Sequence, residues 1–237
     1  MKNEVYIRHI KNQSIHWWFQ ARKKIIESII KKKIKKKISI LDYGSGSGVN
    51  IKMLSKFGFV NIYEPHQSTN TYLKSKYKNK NKFKVLSKIK NQKFDLIILA
   101  DVLEHIKGDL KTIKKLSKNL NKNGHILITV PAYKFLFSKK DIILGHYRRY
   151  NAKELVRIFE NFSIQKLSYF NFFLFMPIST LIFFFKIFRI NFIDDVEKTP
   201  NFFLNKMMYT IFLIERTILN FFNFPFGISI IGLFKKK

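Results

Sequence analysis

Short apolar runs alternate with amphipathic stretches over the first two thirds of the chain. The apolar runs are rich in β-branched residues, which is typical of buried strands. They predict strands at residues 38–43, 59–65, 82–87, 94–101, 125–131 and 162–171. Apolar positions near the 3.6-residue period predict helices at residues 14–37, 50–58, 67–77, 109–120 and 151–161. Strands and helices that alternate in this way predict an α/β fold with a parallel sheet covered on both faces.

The last third of the chain is more apolar than the rest. Residues 170–185 carry no charge, but this run is shorter than the roughly 20 residues that cross a bilayer, so a transmembrane helix is the less favoured alternative. Residues 202–224 predict an amphipathic helix, and residues 227–234 predict a final strand. We therefore expect an apolar helical insertion at 171–223, a main domain at 38–170 and 224–237, and an N-terminal helical lid at 1–37.

Composition narrows the class of protein further. With 46% hydrophobic residues the chain can bury a core, and the absence of cysteine excludes disulfides and thiolate metal sites. The net charge of +30 favours an anionic membrane surface or nucleic acid, unless an AT-rich genome has inflated the lysine content. The N-terminus has no apolar run after a basic start, so we expect a cytoplasmic protein, with the inner face of the membrane as a peripheral location.

Three glycines follow the first predicted strand in the stretch "LDYGSGSGVNI". Glycine at this density lets a ligand approach the backbone closely. No lysine follows the last glycine, which excludes a P-loop, and neither register offers the third glycine of G-x-G-x-x-G. The motif is Asp42-x-Gly44-x-Gly46-x-Gly48, which is not a phosphate-binding pattern.

This motif resembles the first motif of the class I S-adenosylmethionine-dependent methyltransferases, an acidic residue followed by G-x-G-x-G. The resemblance implies that Asp42 orients the positive amino group of the cofactor. Glu64, at the end of the second predicted strand, can accept hydrogen bonds from both ribose hydroxyls. By the resemblance, the cofactor residues are Asp42, Gly44, Ser45, Gly46, Gly48, Glu64, Ala100 and Asp101. The family's usual acid near the adenine is missing at residues 86–88.

Other stretches extend the resemblance along the chain. The run "LADVLEHI" resembles the D-V-L-E-H motif of a large subset that includes ubiquinone-pathway O-methyltransferases. The stretches "HWWFQARKKII", "LGHYRRYNAKEL" and "PFGISIIGLFKKK" are similar to one branch of the family. The family fold implied is a Rossmann-like, doubly wound sheet of seven strands, the last of them antiparallel.

Methyl transfer requires an acceptor held in line with the methyl group, and often a base. Ligands bind at the carboxyl ends of the strands in such sheets, so candidate residues are expected on the loops there. The candidate catalytic residues are Glu104, His105 and His146, and the candidate substrate-binding residues are Arg148, Arg149, Tyr150, Trp17 and Trp18, with His16 beside them. The alternatives are a structural role for the histidines, surface exposure for the arginines and plain packing for the tryptophans.

A divalent metal site is a separate hypothesis. Asp101-x-x-Glu104-His105 with His146 resembles the E-x-x-E-H and distant histidine that bind a divalent cation in small-RNA 2′-O-methyltransferases. Oxygen and imidazole ligands suit such a cation. Because aspartate replaces the first glutamate, we favour a reaction without metal.

The sequence thus predicts a methyltransferase that uses S-adenosylmethionine. We expect O-methylation of a small molecule, a glycan or a lipid-linked acceptor, at or near an anionic membrane surface. The alternatives are a nucleic-acid methyltransferase, which the charge favours, and a non-catalytic protein that keeps the fold.

Overall fold

The computed structural model describes residues 12–188 and 199–237. Seven strands form one sheet in the order β3-β2-β1-β4-β5-β7-β6. The strands are β1 (Ile38–Tyr43), β2 (Gly58–Tyr63), β3 (Phe83–Leu86), β4 (Phe94–Ala100), β5 (Leu120–Pro131), β6 (Phe162–Phe170) and β7 (Ser229–Lys236). The helices are α1 (Trp17–Lys33), α2 (Ile51–Leu54), α3 (Gln67–Lys76), α4 (Asp109–Ser117), α5 (Lys139–Leu144), α6 (Ala152–Ile158), α7 (Phe175–Ile187) and α8 (Phe202–Leu219).

The directions of the strands confirm the predicted fold class. Strands β1 to β5 pair in parallel, whereas β7 is antiparallel to both β5 and β6. The chain leaves β6, forms α7 and α8, and returns as β7 between β5 and β6. The last strand is therefore inserted into the sheet, as in the resembled methyltransferase fold.

Strand β1 shows how the sheet is buried on both faces. Ile40 packs with Ile25 and Ile26 of α1 on one face. The next residue, Leu41, packs on the other face with Leu155 of α6, because successive side chains of a strand point in opposite directions. Helix α1 therefore packs on the core. The N-terminal helical lid at residues 1–37 stays a prediction, and its residues 1–11 lie outside the described residues.

Two predicted boundaries differ from the structure for packing reasons. Gly58 was expected to close the second helix, but α2 ends at Leu54 and Gly58 begins β2. A Cβ at Gly58 would lie 1.8 Å from the carbonyl oxygen of Ile38, so glycine is required by the close approach of two strands. Strand β5 was predicted from residue 125 but begins at Leu120. Residues 121–124 interrupt its pairing with β4, since Leu120 pairs with Phe94 and His125 pairs with Leu96.

Helix α5 was not predicted. It begins after Ser138, whose side chain and that of Asp141 form a reciprocal capping box. The S-x-x-D spacing is a helix-start signal, but only six helical residues follow, so the apolar periodicity was too short to detect. This helix proves important because Asp141 belongs to the candidate site.

The predicted apolar insertion contains α7 and α8. Helix α8 packs against α1, where Phe212 meets Trp17 with ring centroids 5.1 Å apart. The buried carboxylate of Glu215 accepts hydrogen bonds from the N–H groups of Asn171 and Phe172, which ties α8 to the end of β6. Within the described ranges, none of the helices combines the length and hydropathy needed to span a membrane.

Candidate functional site

A cavity of about 1310 Å³ opens at the carboxyl ends of β1, β2, β4 and β5. Its wall combines the glycine loop, the N-terminal helix α1, the segment around α5 and one side of α7. Pockets for a single drug-sized ligand measure about 300–1,000 Å³. The cavity therefore has room for a methyl donor and an acceptor together.

The glycine loop borders this cavity with its first half. Gly44, Ser45 and Gly46 line the cavity, whereas Gly48 lies behind the loop against Leu73. At Gly46 the backbone φ is +54°, and the nearest atoms to an added Cβ are those of the Gln13 side chain, at 3.5 Å. The backbone at Gly46 is therefore exposed to a ligand on the cavity side.

Glu64 holds the loop to the end of β2. Its Oε2 accepts a hydrogen bond from the Gly46 N–H at 2.8 Å, and its Oε1 accepts one from the His66 N–H at 2.9 Å. Glu64 lines the cavity although only 7% of its surface is exposed. Each carboxylate oxygen can accept a second hydrogen bond, so Glu64 can still accept the predicted hydrogen bonds from the two ribose hydroxyls.

Asp42 lies beneath the loop and does not line the cavity. It is 1% exposed, and its Oδ2 has no hydrogen-bond partner among the described residues. Burial, with the nearby Glu64 charge, raises the pKa of Asp42 to about 7 although Ser45 opposes the shift. A cationic group in front of the loop would stabilise its charged form, but Asp42 is not itself in the cavity wall, so its contact with the amino group of S-adenosylmethionine stays a prediction.

Asp101, at the end of β4, lines the cavity and is held by two partners. Thr129 donates a hydrogen bond to Oδ1 at 2.7 Å, and Arg22 of α1 forms an ion pair with Oδ2. Arg22 is only 3% exposed. Arg22 was not predicted as a site residue, although a cation among the apolar positions of α1 indicates a buried ionic partner.

The N-terminal segment contributes a wall to the cavity. Gln13 is 6% exposed and accepts a hydrogen bond from Ser47 of the glycine loop. Trp18 stacks on Phe170 with ring centroids 5.6 Å apart, and both Trp17 and Trp18 line the cavity. The tryptophans therefore pack on the core and also border the cavity, which combines the two alternatives considered for them.

Three predicted catalytic residues come together in the wall of the cavity. Potential ligand atoms of Glu104, His105 and His146 all lie within 4.8 Å of one another. The two imidazole rings are 4.6 Å apart and nearly perpendicular. Asp101, the fourth residue of the metal hypothesis, is engaged by Arg22 instead.

Asp141 orients His146. Its Oδ1 lies 2.8 Å from His146 Nδ1 and also accepts a hydrogen bond from Arg149 Nε at 2.9 Å. Burial alone would raise the pKa of Asp141, but the His146 hydrogen bond and the Arg149 charge outweigh it and lower the pKa to about 2. Asp141 is therefore an anion at neutral pH.

Glu104 is the most deeply buried acid of the cluster. It has no exposed surface, and neither carboxyl oxygen has a hydrogen-bond partner within the part of the chain that the structure describes. Burial, reinforced by the negative charge of Asp101, raises the pKa of Glu104 well above its usual value. Glu104 also lines the cavity, so its carboxyl group lies beside two imidazoles where an acceptor could bind.

Comparison with known proteins decides the family. A family model described as a methyltransferase domain matches residues 14–168. The chain belongs to this family. The expectations of an S-adenosylmethionine-dependent methyltransferase with a Rossmann-like fold are confirmed. No curated protein matches the chain.

Solved structures share the fold of this methyltransferase at low sequence identity. A Haloferax volcanii structure, described as the Trm112 methyltransferase activator in complex with a methyltransferase, is 11% identical, with a TM-score of 0.61 over 97% of this chain and 93% of that one. The N-methyltransferase NodS from Bradyrhizobium japonicum WM9, in complex with S-adenosyl-L-homocysteine, is 11% identical. Its TM-score is 0.56, and the match covers 92% of this chain and 87% of that one. Coclaurine N-methyltransferase, bound to N-methylheliamine and S-adenosyl-L-homocysteine, is 15% identical. Its TM-score is 0.56, and the match covers 89% of this chain and 72% of that one.

Two of the predicted substrate residues of the methyltransferase lie outside the cavity. Arg148 forms an ion pair with Asp109 at 2.9 Å, and the Tyr150 hydroxyl donates hydrogen bonds to the Leu103 carbonyl and to Asp109. Arg149 lines the cavity but is held by Asp141. The H-x-R-R-Y stretch thus positions the loop that carries His146, which the spacing of the residues alone did not reveal.

The wall of the cavity contributed by α7 is apolar. Its lining residues are Ile178, Leu181, Ile182 and Phe185. The methyltransferase therefore presents a polar cluster on one side of the cavity and a hydrocarbon surface on another.

Proposed function

We propose that this methyltransferase methylates a hydroxyl oxygen of a small-molecule, glycan or lipid-linked acceptor, with His146 as the base. The Asp141–His146 pair in the cavity wall carries this proposal. An ionised carboxylate only accepts hydrogen bonds, so Asp141 keeps the proton of His146 on Nδ1. Nε2 is then the basic nitrogen that can take the proton of the acceptor.

The residues of the cluster have separate roles in this mechanism. S-adenosylmethionine, when bound, supplies a methyl group on a positively charged sulfur. The acceptor hydroxyl is held in line with that methyl group and loses its proton to His146 Nε2. The negative charge of Asp141 stabilises the imidazolium that forms, and the carboxyl group of Glu104 orients the acceptor oxygen by a hydrogen bond.

The lining of the cavity supports an acceptor with an apolar portion. Ile178, Ile182 and Phe185 offer hydrocarbon surface, and burying such surface is favourable by about 25 cal/mol per Å². Arg148 forms an ion pair with Asp109, and Arg149 forms one with Asp141, so neither guanidinium is fully available to bind a phosphodiester. These features favour a lipid-linked or other partly apolar acceptor over RNA.

The test compares two histidine variants. His146→Asn is expected to lower the rate of methyl transfer about 10²- to 10⁴-fold, the usual contribution of a general base, with little change in cofactor affinity. His125→Asn, at the opposite end of β5, is the control and should keep the wild-type rate. Radiolabelled methyl transfer into lipid, water-soluble and RNA fractions identifies the acceptor class.

The outcomes separate the alternatives. Equal rates for wild-type protein and His146→Asn would remove the base role. Label in RNA, with binding that falls steeply as salt rises, would favour a nucleic-acid methyltransferase. Cofactor binding without transfer to any fraction would favour the non-catalytic alternative.

A divalent cation at the Glu104, His105 and His146 cluster is the second candidate, because these residues offer oxygen and imidazole ligands within 4.8 Å. The engagement of Asp101 by Arg22 argues against it, because the fourth residue of the metal hypothesis is already held by a cationic side chain. Activity that survives chelation and gel filtration would exclude this site. Activity lost on chelation and restored by Mg²⁺ or Mn²⁺ would establish it.

A further inference from the structure

The mouth of the cavity is both apolar and cationic. Ile142 and Leu181 line the cavity and are also 66% and 51% exposed, so they stand at its rim. Tyr147 stands there as well, with 52% of its surface exposed. Lys139 and Lys140 line the cavity and are exposed at the start of α5.

Exposed apolar surface continues from the mouth along the outer side of α7. Met176 and Phe183 are each about two thirds exposed, at 64% and 65%, and Phe184 is 47% exposed. Phe135, 59% exposed in the short turn before α5, shares a second cleft with Phe183. The apolar surface therefore joins α7 to the turn beside it.

Helix α7 is apolar on two opposite sides. Ile178 and Ile182 line the cavity, whereas Phe183 and Phe184 face outward. Helices that are hydrophobic on all sides normally lie in a protein core or in lipid. One thin hydrocarbon wall therefore separates the cavity of this methyltransferase from its surroundings.

Cations flank this apolar surface. Lys134 adjoins Phe135, and Lys139 and Lys140 lie close to Ile142 in sequence. Lys107 stands over the Tyr147 ring at 5.4 Å. Aromatic and aliphatic side chains beside lysines are the pattern of a surface that rests in the interface of an anionic bilayer.

We propose that this surface docks on an anionic membrane and that the acceptor enters the cavity from the bilayer. The docking surface consists of Phe135, Ile142, Tyr147, Met176, Leu181, Phe183 and Phe184, with Lys134, Lys139 and Lys140. The inference rests on the proposed function for the nature of the acceptor, but the docking itself does not require turnover. It also explains why the wall nearest the mouth is hydrocarbon on both sides.

The experiment measures co-sedimentation of the full chain with phosphatidylcholine vesicles, with and without phosphatidylglycerol. Binding is expected with phosphatidylglycerol and weak without it. A variant with Lys134→Gln, Lys139→Gln and Lys140→Gln should bind about 100-fold more weakly, because each of the three lysines near such a surface contributes about fivefold. The control carries Lys78→Gln, Lys82→Gln and Lys90→Gln, which removes the same charge near β3 and should bind within about twofold of wild type.

A second pair of variants tests the apolar contribution. Phe183→Gln with Phe184→Gln should weaken vesicle binding at least about tenfold, since these side chains expose 65% and 47% of their surface as hydrocarbon in solution. Phe221→Gln with Phe222→Gln removes two phenylalanines that are 73% and 70% exposed after α8, and should leave binding unchanged. Calorimetry with S-adenosyl-L-homocysteine checks that the Phe183 and Phe184 variant keeps its fold and cofactor site.

Several results would overturn the inference. Equal weakening by the two lysine triples would show that binding follows net charge alone. Failure of the wild-type chain to bind anionic vesicles would refute the docking, even if it methylates a soluble acceptor, in which case the proposed function stands. A dimer in gel filtration that the Phe183 and Phe184 changes dissociate would assign the surface to a second copy of the chain.

Discussion

Replacing Glu64 with glutamine tests how the methyltransferase holds its cofactor. The carboxylate joins the glycine loop to β2 through Gly46 and His66, and it lines the cavity. We expect the Glu64→Gln variant to bind S-adenosyl-L-homocysteine more weakly while it remains folded. The glutamine keeps the length of the side chain but turns one acceptor oxygen into a donor.

The size of the effect follows from the hydrogen bonds lost. One backbone N–H group loses its acceptor, and one ribose hydroxyl loses a charged partner. A hydrogen bond to a charged group contributes about 1.5–3 kcal/mol. Because 1.4 kcal/mol corresponds to about tenfold in Kd, the cofactor affinity should fall about 10- to 100-fold.

The assay is calorimetry with S-adenosyl-L-homocysteine and with its 2′-deoxyribose analogue, on wild-type protein and Glu64→Gln. If the carboxylate accepts a bond from the ribose, the analogue should bind more weakly than the parent only to the wild-type protein. Asp95→Asn is the control. Asp95 accepts the Ser39 N–H at the opposite end of the sheet, so its substitution removes the same charge away from the cavity.

Two results would refute the reasoning. An unchanged Kd for Glu64→Gln, with an unchanged unfolding midpoint, would show that Glu64 does not contact the cofactor. An equal loss of affinity for the parent and the analogue would assign Glu64 to support of the loop alone.

Three further predictions concern stability. Asp141→Asn should lower the free energy of unfolding by about 3–5 kcal/mol, because it leaves the buried Arg149 without its charged partner, and urea titration measures the loss. Since the pKa of Asp141 is lowered to about 2, its contribution is present above the unfolded pKa near 4 and is lost as the pH falls towards about 2. Burial raises the pKa of Glu215, so its contribution to the free energy of unfolding is greatest in acid and is lost as the pH rises through the folded pKa. Glu215→Gln should therefore give a flatter profile of stability against pH. Gly44→Ala should cost about 1–3 kcal/mol, because φ is +72° and the new Cβ would lie 2.8 Å from Val102; adding Val102→Ala should recover part of the loss in thermal unfolding.

The strands of the sheet were the most predictable elements. Strand β1 was predicted at residues 38–43 and is found at Ile38–Tyr43. Its apolar run is bounded by a lysine cluster and by the glycine loop, so local signals define both ends. Gly58 was misread because glycine closes helices and also permits close strand contact, and only the neighbour Ile38 distinguishes the two.

The candidate site was predictable in part. Residues on motifs, such as Glu64 and Glu104, could be placed at the cavity because strand ends meet at one edge of the sheet. Arg22 was missed because its partner Asp101 lies 79 residues away in sequence. Asp141 was missed because it lies on a helix too short to recognise. Tyr150 was placed at the acceptor from its motif, but its hydroxyl reaches Asp109, a contact that no local pattern encodes.

The sequence by itself determined the order of strands and helices, the glycine loop after β1 and the acids that follow it. Such features depend on periodicity and on backbone freedom, which act over a few residues. The tertiary structure decided which groups share the cavity. It buries Glu104 with no hydrogen-bond partner among the residues described, and it brings Asp141 to His146. It also places the apolar helix α7 between the cavity and the exposed outer surface. Burial and charge pairing depend on residues that are distant in the chain, so these properties arise only when the sheet is assembled.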